Sequence, residues 1–238
     1  MAKSDPDVPR RQGYHHGNLR EALVVAARNL IAERGPAGFT LIEAARRAGV
    51  SGAAPYRHFK DRDALVAEVC RRGFEEFGRR LSAAWIGAET DPISAFGRMG
   101  QAYLAFAREE PGYYAAMFAP GPTRTPRLPG EAAGATFARL RDAIGRITGN
   151  GRQGGVDLGL LAHEVWALSH GIATLAAAGL LGPDAGAPSP SDILSAGVGK
   201  LIAGAIGAAE PRQGPGPAPR RRPDGRRRQL AAGPSDQR

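Results

Sequence analysis

Residues 40–58 leave the backbone few choices. Thr40 followed three positions later by Glu43 is a capping-box pattern, and Phe39 ahead of it is placed as a staple residue. The helix started there predicts a run to Ala48 and a stop at Gly49, since glycine alone takes the left-handed C-terminal conformation without strain. Ser51 then predicts the cap of a second helix. Pro55 is tolerated only in a first turn, so that helix has to begin close to Ser51 and stay short, over about 52–58. Helix, glycine turn, short helix is a helix-turn-helix pattern.

The rest of the chain reads as helix as well. Asn18 with Glu21 predicts the start of a first helix that Gly35 and Pro36 end, and Asp61 caps a long helix carrying Leu65, Val66, Val69, Phe77 and Leu81 on one side. Further helical segments are expected at 91–109, 113–118, 131–148, 156–181 and 191–208, with a Pro/Gly loop at 119–130. No segment alternates like a strand. The expectation is an all-α chain: a polar arm over 1–13, a three-helix unit over 14–60, a helical domain over 61–210, and a tail over 211–238 whose Pro, Gly and Arg content cannot bury enough apolar surface to fold. Residues 159–182 are long enough to span a bilayer, but His163, Glu164 and His170 inside them favour burial in protein instead. The polar N-terminus has no apolar leader stretch, so a cytoplasmic protein is expected.

Charge narrows the partners. The net charge is +9, of which residues 1–60 contribute +5, 61–210 contribute −2 and 211–238 contribute +6. Two basic ends around a neutral middle suit a polyanion. In a helix-turn-helix the second helix enters the major groove by its N-terminal residues. Here these are Gly52, Ala53 and Ala54, which can approach thymine methyls but cannot make bidentate base contacts. Tyr56, His58 and Lys60 suit phosphates, as do Arg47 and the capped helix starts at Thr40 and Ser51.

Three runs then become familiar: Y-H-H-G-N-L-R-E-A-L at 14–23, F-T-L-I-E-A-A-R-R-A-G-V-S at 39–51 and A-A-P-Y-R-H-F-K-D-R-D-A-L at 53–65. Together they resemble the DNA-binding domain of TetR-type transcriptional regulators over about 14–70. The resemblance implies an operator-binding homodimer, with Thr40 and Tyr56 on phosphates, Gly49 as the turn glycine and Phe59 in the core. It also implies a helical domain that binds a small, apolar or amphipathic effector and sets DNA affinity, most often as a repressor. Gly52 departs from close relatives, which carry a larger polar residue there. Trp166, His170 and Gly171 are similar to the W-x-x-x-H-G pattern of one branch of TetR-like C-terminal domains.

The candidate pocket lining is Phe96, Met99, Tyr103, Phe106, Met117, Phe118, Trp166 and His170. The first four repeat at helical spacing, and Trp166 and His170 lie one turn apart. Such a stripe serves equally as core. Leu161, Leu168, Ile172 and Leu175, with Leu194, Val198 and Leu201, are the candidate dimer interface; they could instead complete the monomer core.

Other chemistry is not indicated. Cys70 is the single cysteine, which excludes an internal disulfide. His163 and His170 are about 10 Å apart along a helix and cannot share an ion. No metal, cofactor or enzyme active site is expected. A competing reading is a helical module that binds DNA without sequence preference, led by Arg220–222 and Arg226–228 of the tail.

Overall fold

The computed structural model describes residues 19–118, 131–149, 156–182 and 187–209. The polar arm, the Asn18 cap, the 119–130 loop and the Arg-rich tail lie outside them. Within the described residues all regular structure is helical: α1 (Leu19–Arg34), α2 (Leu41–Arg47), a 3-10 segment (Ala54–Arg57), α3 (Arg62–Ala84), α4 (Pro92–Glu109), α5 (Pro111–Phe118), α6 (Glu131–Ile147), α7 (Leu158–Ala177) and α8 (Pro190–Ala209).

Most boundaries follow the capping chemistry. Thr40 and Glu43 form a reciprocal box, the Asp61 carboxylate accepts from Ala64 N at 2.7 Å, and Asp91 accepts from Ser94 N at 3.0 Å. Gly35 and Gly49 have φ of 75° and 76°, the left-handed conformation that ends α1 and α2. One start was not expected. Ser189 Oγ accepts from Asp192 N at 3.1 Å while Asp192 accepts from Ser189 N at 3.2 Å, so α8 also opens on a box. One expectation fails. Ser51 does not cap the second helix of the motif; the cap position is Ala53, with no side-chain bond, and Ser51 offers only its carbonyl to Ala54 N. That helix is a four-residue 3-10 turn rather than an α-helix over 52–58. Pro55 occupies its first turn, and a second stop follows at once at His58, before Asp61 restarts the chain as α3.

Two cores result. The first joins Leu23, Val24, Leu30 and Ile31 of α1 to Ala44 and Ala45 of α2, Phe39, Phe59 and the N-terminal half of α3. The second joins Phe77 and Leu81 of α3 to α4, α6 and α7. Two helices belong to both. The 23-residue α3 passes from one into the other, about 34 Å from end to end. The short α5 places Ala116 in the first core and Met117 in the second.

Ion pairs reinforce both joints. Glu68, 8% exposed, accepts from Arg20 of α1 and from Arg71 and Arg72 of α3, each at 2.9 Å. Led by the Arg71 hydrogen bond, these cations hold its carboxyl well below the usual range, at about 2. Arg80 of α3 reaches Glu109 at 2.8 Å and Glu110 at 3.3 Å, and Glu110 meets Arg28 of α1 at 3.5 Å.

The expected dimer residues divide. Leu161, Ile172 and Leu194 are 3–4% exposed and belong inside the monomer; Leu194 packs on Gly100 of α4. Leu168 packs on Gly197 of α8 in the same chain. Val198 and Leu201 are half-buried against the second core, and only Leu175 of the set is exposed. The outer face of α7 carries Leu160, Glu164, Ala167 and Leu175, and that of α8 carries Ala196, Gly199, Lys200 and Ala203.

Candidate DNA interface and effector cleft

The 3-10 segment turns a mixed set of residues outward. Ser51, Ala53, Tyr56, Arg57, His58 and Lys60 are exposed, Gly52 and Ala54 are half-buried, and Pro55 and Phe59 anchor the segment from below. Tyr56 projects with 57% of its surface free. Phe59 sits in the first core, with the Arg20 guanidinium 5.4 Å from its ring centre. The segment is thus a rigid, small-surfaced ridge with cationic and hydroxyl groups at its far end.

Two expected contacts are committed elsewhere. Arg47 bonds to Glu33 of α1 at 2.5 Å, a hydrogen bond that also holds the Glu33 carboxyl below its usual range. The Thr40 hydroxyl accepts from Glu43 N at 3.2 Å and faces the Glu43 carboxylate at 3.0 Å. Two residues were missed. Arg57 is exposed in the ridge, and Ile42 of α2 is 57% exposed beside it, with its side chain 3.4 Å from where a Gly52 Cβ would stand. The exposed Ile42 was hidden in the sequence by the helical apolar pattern around it, which reads as core.

The second core opens into a cleft of about 2220 Å³ between α3, α4, α6, α7 and α8. Phe96, Met99, Tyr103, Met117, Phe118 and Trp166 line it, six of the eight expected residues. Phe106 does not; it is fully buried and packs at a tilt against Phe77 at 5.0 Å between ring centres. His170 stands behind the wall. Its Nδ1 lies 2.7 Å from the Tyr114 hydroxyl and 3.3 Å from that of Tyr103, and its ring meets Phe118 edge-on at 4.8 Å. Burial lowers the His170 pKa and raises those of Tyr103 and Tyr114, so all three groups are neutral near pH 7. With the ring proton on Nε2, Nδ1 accepts from Tyr114. Tyr114 belongs to the aromatic cluster that the sequence shows over 96–118 but was not among the expected pocket residues; Phe74 and Phe137 were missed. Phe137 of α6 packs at a tilt against His163 at 4.4 Å and Trp166 at 5.9 Å between ring centres.

Ala116 and Tyr113 of α5 face α1, and Tyr114, Met117 and Phe118 face the cleft or its wall. Gly112 makes the α1 side tight: a Cβ there would stand 2.2 Å from the Arg28 carbonyl oxygen. On the other side, a Cβ at Gly73 would stand 2.8 Å from Met117 Sδ. The helix is held closely on both flanks.

A helix-turn-helix packed onto a helical domain is the architecture of a DNA-binding transcriptional regulator. Residues 23–69 match the family model described as bacterial regulatory proteins, tetR family, and residues 96–201 match the one described as tetracyclin repressor-like, C-terminal domain. The chain belongs to the TetR family, and its N-terminal part is that family's DNA-binding fold. The C-terminal match does not name the W-x-x-x-H-G branch that Trp166, His170 and Gly171 resemble.

Among solved structures, a protein of unknown function from Rhodococcus sp. RHA1 is 33% identical, with a TM-score of 0.66 over 82% of this chain and 98% of that one. The fatty acid degradation regulator FadR from Bacillus halodurans shares the fold at 14% identity, TM-score 0.63, over 77% of this chain and 94% of that one. The TetR family transcriptional regulator PfmR from Thermus thermophilus shares it at 20% identity, TM-score 0.56, over 76% and 97%. No curated protein matches the sequence. Among the described residues no helix is long and apolar enough to cross a membrane, and no group of metal-ligating side chains converges.

Proposed function

We propose that this chain is a transcriptional repressor that binds its operator as a homodimer and leaves it when a small apolar or amphipathic effector enters the cleft. The observation that carries the reading is α5. Its Ala116 belongs to the core of the DNA-binding unit, while Met117 and Phe118 wall the cleft. A ligand that displaces Phe118 or Met117 moves a helix whose other side is locked onto α1 at Gly112. The two sites then share one helix, so a ligand that shifts it acts on both, which is what coupling between them requires.

The DNA-facing set is the ridge at 51–60, Arg57 included, together with Thr40 and Ile42. Ala53 and Ile42 offer apolar surface to thymine methyls, and Tyr56, Arg57, His58 and Lys60 position the ridge on phosphates. One such unit makes few contacts, so two are needed on two half-sites. The exposed outer faces of α7 and α8, with Leu160, Ala167, Leu175, Ala196 and Ala203, are the surface for that pairing. Within the monomer a Cβ at Gly171 of α7 meets nothing, so any close approach there comes from a second copy.

A footprint on the DNA upstream of the chain's own gene, with random competitor, tests the reading. Protection that survives the competitor supports it. Equal competition by random DNA overturns it in favour of sequence-independent binding led by the Arg-rich tail.

A further inference from the structure

We infer that the cleft takes an anionic amphiphile, with Arg139 of α6 as its headgroup contact. The inference deepens the effector reading above and rests on it. Arg62 and Lys60 at the mouth pair with Asp63 and Asp61, Arg71 pairs with Glu68 and Glu75, and Arg79 pairs with Glu76. Arg139 is the remaining cation in the wall, and it has no ion pair, hydrogen bond or ring contact among the described residues.

Its position is built. The guanidinium lies over the α3 backbone where Gly78 leaves room: a Cβ there would stand 3.1 Å from an Arg139 terminal nitrogen and 3.2 Å from Thr136 Oγ1. Thr136 Oγ1 is itself spent on the Ala132 carbonyl at 2.8 Å, so Arg139 is the open donor of the notch. Glu131, the other charged residue of α6 in the wall, is two turns away, about 12 Å along the helix.

Glu75, Arg79 and Ser82 flank this notch on α3, and to one side of it the lining turns apolar. Phe74 and Phe77 follow on α3 and Phe137 on α6, leading to Phe118 and Trp166. The volume, about 2220 Å³, exceeds the ~300–1,000 Å³ of an ordinary small-molecule pocket and suits an extended chain. A cationic headgroup fits less well. The rings of Phe118, Phe137, His163 and Trp166 stand 4.4–6.5 Å from one another and pack together, leaving no cage between them. A fork of guanidinium donors is the recognition element for a carboxylate or a phosphate.

The test is calorimetric titration of the full chain with three ten-carbon probes at equal ionic strength: decanoate, decanol and decyltrimethylammonium. Decanoate is expected to bind about tenfold more tightly than decanol. Arg139→Gln, an exposed change that should leave Tm untouched, is expected to remove that advantage and leave decanol binding as it was. Equal affinities, a preference for the ammonium probe, or an unchanged decanoate affinity in Arg139→Gln would each overturn the assignment. A gel shift with the footprinted DNA keeps the two readings apart. Operator release by decanol as effective as by decanoate overturns the anionic headgroup and leaves effector release standing. Failure of all three probes to bind overturns the assignment as well, and release by other compounds then decides effector release on its own.

Discussion

The Tyr114 hydroxyl and His170 Nδ1 stand 2.7 Å apart, joining α5 to α7 directly behind the cleft wall. The bond requires a neutral imidazole with Nδ1 as acceptor, and burial favours that form by lowering the His170 pKa below its ordinary 6.5. The unfolded chain therefore binds the extra proton first. Stability is full above pH 6.5 and falls as pH drops from there towards the folded-state pKa. Thermal unfolding between pH 7.5 and 5.5 should show this decline, and His170→Gln should flatten it. Tyr114→Phe should cost up to about 1 kcal/mol by removing the shorter of the two hydroxyl contacts to Nδ1 and leaving the Tyr103 hydroxyl at 3.3 Å as the remaining donor. A His170 titration midpoint at or above 6.5 by NMR would contradict the scheme.

Glu68 carries a second pH dependence in a lower window. Its carboxyl is held at about 2 against an ordinary 4.5, chiefly by the Arg71 hydrogen bond with help from Arg72 and Arg20. The stability it adds is complete above pH 4.5 and is lost as pH falls from 4.5 through about 2. Its Arg20 and Arg71 partners are about half exposed, so solvent screening reduces the contribution to roughly 2 kcal/mol. Urea unfolding at pH 6 and pH 3 should show Glu68→Gln destabilised at the higher pH by that amount and by roughly half as much or less at the lower, where the folded carboxylate is still mostly ionised. An equal deficit at both would mean that the loss is one of packing.

Several helix starts were legible because caps are local chemistry: Thr40 and Asp61 act on amides three residues away. The motif's second helix was misread because Ser51 has the right side chain in the wrong place, two residues before the Ala53 cap. Phe96, Met99 and Tyr103 were found by their spacing, but spacing could not separate the cleft wall from Phe106, which shares their stripe and is wholly buried. Leu161, Ile172 and Leu194 misled for a related reason. A helix apolar nearly all round has no polar face to say which side points out. Arg47 was read as free because its partner, Glu33, lies on another helix.

Glycine substitutions separate the close packing of α5 from the open face of α7. Gly112→Ala puts a Cβ 2.2 Å from a backbone oxygen that cannot yield, so α5 must lift from α1. A loss of roughly 1–3 kcal/mol is expected, together with weaker operator binding, since the DNA-binding core is disturbed. Gly171→Ala meets nothing within 4 Å in the monomer, and helix propensity alone predicts a gain of up to about 1 kcal/mol. Sedimentation should be run alongside thermal unfolding. A Gly171→Ala chain that is more stable and still dimeric would place the two-fold contact away from this glycine, whereas a shift to monomer would place it there.

The ridge makes separable predictions about DNA. Arg57→Gln and Lys60→Gln each remove an exposed cation that the proposed mode assigns to phosphates. Each should weaken binding by a similar factor on every sequence and reduce the slope of log affinity against log salt by about 0.9. Ile42→Ala should leave that slope unchanged and alter the ranking of operator variants at thymine positions, because its exposed side chain beside Gly52 is the largest apolar group at the ridge. Glu33→Gln is the opposite case. It releases Arg47 from a 2.5 Å bond and removes a negative charge, so binding should tighten several-fold and the salt slope should steepen. Gel shifts on one operator and a set of point variants, repeated at three salt concentrations, read all four. An unchanged slope in Glu33→Gln would mean that Arg47 never reaches a phosphate.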